Sequence, residues 1–161
     1  DTVSMAKALG CGFPIGALLV GEKVENVLQF GSHGSTFGGN PMATTVALHA
    51  LRIINSKETM DNVTARNKQL VTALDKLGKE LGLFTEIRGL GLMIGAELVE
   101  KYHGKAADFV ETARQHGVLI LVAGPNVLRF LPPLNITEQE MAVGLERLGG
   151  ALKRYVSENQ A

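Results

Sequence analysis

The chain has 161 residues, 45% of them hydrophobic, with sixteen basic residues against sixteen acidic ones and a single cysteine. That length holds one compact domain, or a small domain with a piece of another. The balanced charge without a basic cluster argues against nucleic-acid binding, no apolar run approaches the roughly 20 residues that span a bilayer, and Cys11 alone forms neither an intrachain disulfide nor a cysteine zinc site. These features fit a soluble protein of a reducing compartment.

In chain order, residues 1–9 read as a buried approach to a turn, and Ile15–Val20 as a short apolar strand. Glu22–Phe30 reads as a short helix with Val24, Val27 and Leu28 turned inward. A polar, glycine-rich loop follows from Gly31 to Gly39. Asn40-Pro41 then opens a helix, since Asn suits the N-cap and Pro the first helical position. This helix runs to about Ile54, with Ala43, Val46, Ala47, Ala50, Leu51 and Ile54 on one face.

A second helix spans about Lys57–Leu81. Val63, Leu70, Leu74, Leu77 and Leu81 keep its apolar spacing, Asn67 is the one polar step, and Gly82 is the expected C-cap. Thr85–Leu98 reads as two strands about Gly89-Leu90-Gly91. Lys105–His116 is a third helix ending at Gly117. Val118–Val122 and Val127–Leu131 are strands joined by the turn Ala123-Gly124-Pro125-Asn126. Thr137-Glu138-Gln139-Glu140 is a capping box before a last helix whose inner face is Met141, Leu145, Leu148, Leu152 and Val156. From residue 57 onward this order predicts a small α+β domain with helices over one face of a sheet.

The motifs carry several readings. Gly10-Cys11-Gly12-Phe13-Pro14-Ile15-Gly16 is one residue too long for a dinucleotide fingerprint and leads into a strand, and Gly89–Gly95 fails in the same way. Lys7 lies in Ser4-Met5-Ala6-Lys7-Ala8-Leu9-Gly10. It is either an ordinary surface charge or a desolvated amine poised as a nucleophile. The loop Ser32–Gly39 offers hydroxyls from Ser32, Ser35 and Thr36 among glycines, and is either a flexible connection or an anion cradle. Arg129, in the strand Val127–Leu131, is either a snorkelling edge residue or a carboxylate clamp. His33, His49, His103 and His116 lack ligand spacing, and no metal site is expected.

Four ordered segments resemble the class III, fold-type I aminotransferases, and the resemblance covers the whole chain. They are Ala6–Gly16, Gly31-Ser32-His33-Gly34-Ser35-Thr36-Phe37-Gly38-Gly39-Asn40-Pro41, Ile87–Gly95 and Leu128-Arg129-Phe130-Leu131-Pro132-Pro133-Leu134. Within the class the chain looks most similar to acetylornithine and succinylornithine aminotransferases, chiefly through Ala123–Phe130. The resemblance implies pyridoxal 5'-phosphate (PLP) as cofactor, held by Lys7, which also shuttles the substrate proton. It implies that Thr36 holds the cofactor phosphate, in this family usually that of the partner subunit of a homodimer. It places Ser35 beside the substrate and Arg129 on the α-carboxylate of the amino donor or of 2-oxoglutarate. A cytoplasmic enzyme of arginine metabolism is implied. Cys11 departs from the glycine usual at its position.

The family's aspartate for the pyridine nitrogen, its main phosphate loop and its ring-stacking aromatic residue lie in segments that this sequence does not contain. Asp1 opens in mid-motif, without an initiator Met or a signal peptide. The expectation is therefore an α/β fragment: residues 1–56 as the C-terminal end of the large PLP-binding domain with its linker helix, and residues 57–161 as the small domain, inactive alone. Two alternatives stand beside it. One is a non-enzymatic α+β interaction module. The other is a class III enzyme acting on ω-amino acids or 4-aminobutyrate.

Overall fold

The computed structural model describes residues 1–159. They divide into two compact units, the first ending at Lys57 and the second beginning at Glu58.

In the first unit, strand β1 (Thr2–Met5) pairs antiparallel with β2 (Ala17–Val20), Thr2 facing Val20 and Met5 facing Ala17. Between them the chain makes a 3-10 turn at Lys7–Leu9. Helix α1 (Pro41–Ile54) starts where the Asn40 side chain accepts from the Ala43 N–H at 2.9 Å and Pro41 takes the first turn. Its buried residues are all alanines, Ala43, Ala47 and Ala50. Their small size lets α1 pack closely against the 3-10 turn, whose Leu9 is buried.

Two expectations for this unit are not met. Thr2–Met5 form a strand, but Thr2, Val3 and Ser4 are exposed, because among the described residues the strand pairs with β2 alone, in a two-stranded ribbon. Glu22–Phe30 is a series of turns, not a helix, with Val27 and Leu28 exposed. A nine-residue helix is marginal without an apolar surface to cover its inner face, and Val27 and Leu28 find none here.

The second unit is a four-stranded antiparallel sheet in the order β3-β4-β6-β5, with three longer helices. Helix α2 (Lys57–Leu81) has the bounds its spacing predicts. It stops at Gly82, whose φ of +60° suits glycine, and the Leu83 N–H returns to the Gly78 carbonyl. The polar step in its apolar stripe has a use: the Asn67 amide donates to the carbonyl of Gly91. That carbonyl belongs to the tight turn joining β3 (Phe84–Leu90) to β4 (Met93–Leu98). Helix α3 (Ala106–Gln115) leads to the short strand β5 (Leu121–Val122), then β6 (Val127–Phe130) and helix α4 (Glu138–Glu158).

The strand expected over Val118–Val122 is shorter because only Leu121 and Val122 pair with β6. The capping box is formed: Thr137 Oγ1 accepts from Glu140 N at 3.2 Å, and the Glu140 carboxylate accepts from Thr137 N at 2.9 Å.

The core lies on one face of this sheet. Ile94, Ala96, Leu98, Leu128 and Phe130 alternate inward and join Leu74, Phe109, Leu148 and Leu152 from the helices. Tyr102 and Tyr155 flank Phe109, with ring centroids 5.5 and 3.9 Å away. No helix among the described residues is long and apolar enough to cross a membrane.

Candidate functional site

Lys7 is exposed, as are Ala6 and Ala8 beside it, so the desolvated setting expected from its neighbours does not exist within these residues. What marks Lys7 is its backbone. Its φ is +51°, and that of Cys11 is +46°. For side-chain-bearing residues this region costs about 1 kcal/mol each. Strain of this kind persists where the surroundings enforce it, often at functional sites. Here the enforcement is a closely wound turn. Leu9 N donates to Ala6 O at 3.1 Å, Gly10 N to Lys7 O at 3.0 Å and Phe13 N to Gly10 O at 2.8 Å. A Cβ at Gly10 would collide with the Phe13 carbonyl. The turn thus presents the Lys7 amine from a rigid, tightly bent backbone.

Ser35 and Thr36 are exposed in the loop before α1. The loop is tied at its end: Gly38 N donates to Ser35 O at 3.3 Å, and Asn40 Nδ2 donates to Phe37 O at 2.9 Å. Asn40 also caps α1, so one side chain fixes both the helix start and the loop beside it. Among the described residues no hydrogen bond or ion pair joins Lys7, Ser35 and Thr36 to one another. Arg129 belongs to the second unit.

Arg129 sits on β6 directly opposite Gly95 of β4 and Leu121 of β5. Its strand neighbours Leu128 and Phe130 face the core, which puts Arg129 on the outer face of the sheet. The residue is half-buried, and its Nε is buried with no hydrogen-bond partner. No carboxylate among the described residues pairs with it, although a buried guanidinium N–H left unmatched is costly.

Two further groups of this unit were not singled out by sequence reading. Arg88, on β3, reaches Glu86 and Glu97 at 2.6 Å each. Asn62 of α2 donates to the carbonyls of Leu134 and Ile136 at 2.8 and 3.1 Å, and so holds the loop that follows β6. An apolar groove of about 350 Å³ lies on the core side, lined in part by Leu70, Ile120, Phe130, Pro132, Met141 and Leu148, and holds none of the expected site residues.

The family profile "Aminotransferase class-III" matches residues 1–152. The chain belongs to the class III aminotransferases. It is 51% identical over 158 residues to the acetylornithine aminotransferase of Xanthomonas axonopodis pv. citri, covering 98% of this chain and 39% of that protein. It is 50% identical over 157 residues to that of Neisseria meningitidis serogroup B, with 98% and 39% covered. The chain therefore spans about two fifths of the length of these relatives.

Among solved structures, the N-acetylornithine aminotransferase of Stenotrophomonas maltophilia superposes with a TM-score of 0.87 at 44% identity, over 99% of this chain and 41% of that one. An ornithine aminotransferase of Toxoplasma gondii, described with PLP at partial occupancy in its active site, gives 0.88 at 31% identity, over 100% and 38%. The fold is that of the matching part of these aminotransferases, a mixed α/β arrangement.

Proposed function

We propose that these residues are the C-terminal part of a PLP-dependent aminotransferase of the acetylornithine/succinylornithine type, which moves an amino group from its donor to 2-oxoglutarate. Residues 1–56 would be the end of the large domain and residues 57–161 the small domain. The observation that carries the reading is Arg129, a half-buried guanidinium with an orphaned Nε, on a strand face away from the core. Such a group calls for an incoming carboxylate. The relatives named acetylornithine aminotransferase, similar along nearly the whole chain, support the choice of carboxylate-bearing substrates.

The residues present fit PLP. Lys7 offers an accessible amine on a strained, rigid turn, and Ser35 and Thr36 offer hydroxyls from a tied loop. Lys7 would hold the cofactor covalently, and Thr36 would hold its phosphate, in this reading that of a partner subunit in a homodimer. When bound, PLP supplies an electron sink for the charge left on the substrate Cα. Arg129 would pair two N–H groups with the α-carboxylate and so orient the Cα–H bond. Ser35 would line the substrate. The Lys7 Nζ would accept the Cα proton and later return a proton.

Two measurements test this on the full-length protein. Borohydride reduction and peptide mapping should place the pyridoxyl group on Lys7; finding it on Lys23, Lys57 or another lysine refutes the assignment. Purified full-length protein should turn over N-acetylornithine with 2-oxoglutarate. The 161-residue chain should not, because the pyridine-nitrogen partner expected of the family is not among its residues.

A further inference from the structure

We infer that Asn62 is a positioning residue for Arg129: its amide ties down the chain leaving β6 and so holds the end of the strand that carries the guanidinium. The inference rests on the carboxylate-binding role proposed for Arg129.

Arg129 sits where the support of β6 runs out. The ladder to β5 has its last pair at Leu121 and Arg129 itself. The ladder to β4 ends one residue later, at Ile94 and Phe130. The pairing cannot continue far, because the chain goes on as Leu131-Pro132-Pro133 and neither proline has an N–H to donate. Strand ends fray where pairing stops. The end of β6 therefore needs a hold from beyond the sheet.

That hold comes from α2. The Asn62 side chain uses both amide hydrogens on the loop, donating to Leu134 O at 2.8 Å and to Ile136 O at 3.1 Å. Ile136 N closes a turn onto Pro133 O at 3.1 Å. Leu134 and Ile136 are half-buried and pack against the core. Apolar contacts set how deep the loop sits but have no direction, whereas two hydrogen bonds from one planar amide fix where both carbonyls lie. The anchor is itself firm, since Val63, next to Asn62, and Leu70 and Leu74 of the same helix are in the core.

The link from this anchor back to β6 is stiff. Pro132 and Pro133 have φ locked at about −65°, so a shift at Leu134 is passed on to the strand end more than it is absorbed. Without the two Asn62 bonds the link is released, and the guanidinium loses its fixed aim. A bidentate pair with a carboxylate depends on that aim, because both N–H groups must meet both oxygens in one plane.

The test uses full-length, PLP-loaded protein and glutamate, the amino product of the proposed acceptor 2-oxoglutarate. The single-turnover half-reaction is followed by the absorbance of the bound cofactor. It gives a saturating rate and an apparent Kd, and their ratio even in weak variants. N62L, which keeps the branched shape and removes both donors, should raise the apparent Kd roughly threefold to tenfold, the scale of one hydrogen bond, with the saturating rate little changed. N62Q, which keeps the amide, should recover part of the loss. In an R129K background N62L should lose most of its effect, since an ammonium on a flexible stem has no plane to aim. An unchanged Kd in N62L overturns the inference. So does a saturating rate that falls as far as Kd rises, or an equal loss in both backgrounds, because Asn62 would then support the fold and not act through Arg129. If N62L fails to fold, N62D, of the same shape but without the N–H donors, takes its place with the same expectations. R129K alone separates the two readings: an unchanged Kd for glutamate in that variant overturns the role of Arg129 itself, whatever Asn62 does.

Discussion

Two glycines inside helices should respond oppositely to the same substitution. Replacing a mid-helix glycine by alanine gains about 0.5–1 kcal/mol from lower chain entropy in the unfolded state. At Gly144 of α4 an added Cβ meets nothing within 4 Å, so Gly144→Ala should keep the whole gain. At Gly78 of α2 the same Cβ would stand 2.9 Å from Cδ2 and 3.5 Å from Cβ of Phe84. The farther atom is at ordinary contact distance, but the nearer one is on the Phe84 ring, which is anchored at the start of β3 and has to tilt away. Phe84 is only half-buried and packs against the core, so the ring moves at a cost. Overpacking of this kind costs about 1–3 kcal/mol, which exceeds the gain. Gly78→Ala should therefore destabilise by up to about 2 kcal/mol after the helix-propensity gain is subtracted. Amide hydrogen exchange at Leu74 and Leu148 reads the two helices separately, with slower exchange in Gly144→Ala and faster in Gly78→Ala. Equal stabilisation by both would show that the Phe84 contact does not constrain α2.

Thr36→Ala in the full-length protein should weaken PLP retention by about 1.5–3 kcal/mol, the worth of a hydrogen bond to a charged group, as measured by cofactor loss on gel filtration. Full PLP saturation of an active monomer would rule out that role. Thr137→Ala should cost about 1 kcal/mol by removing the N-cap of α4, read by exchange of the first-turn amides. The backbone N–H of Thr137, and then its hydroxyl, hold the Glu140 carboxyl below the ordinary glutamate range. Because the folded value is depressed, this contribution is fully present above the unfolded value and fades as pH falls through the folded one. An NMR titration should find Glu140 below a free glutamate, and Thr137→Ala should return it upward. A Glu140 that titrates normally in the parent protein would contradict the capping geometry.

Much of the helical layout was legible because its signals are local. Asn40-Pro41, Gly82 and Thr137–Glu140 mark helix ends by backbone chemistry that needs no distant partner, and the bounds of α2 follow from spacing and its C-cap. What was not legible depended on partners. Val27 and Leu28 have a helical spacing but no surface to cover, and Lys7 has apolar neighbours in sequence without burial in space.

The Arg88 cluster was missed through register. A turn centred on Leu90 would set Arg88 opposite Leu92. The turn instead falls on Gly91-Leu92, which sets Arg88 opposite Gly95 and Glu86 opposite Glu97. The Asn67 step in the α2 stripe was the available clue, since its amide seeks the Gly91 carbonyl of that turn. Arg129 is one charge in an apolar strand, and the lack of a partner for its Nε among the described residues shows only once its neighbours are placed in space.

The ribbon of β1 and β2 also bears on how this polypeptide behaves in a test tube. Val3 faces Leu19 across it, both more than half exposed, and Leu18 and Val20 are exposed as well. Each strand also has an outer edge of N–H and C=O groups that no other strand pairs among the described residues. Apolar side chains beside open edges invite strand addition between molecules. A preparation of these 161 residues should therefore cloud at rising concentration, and a charged residue at Leu19 should clear it.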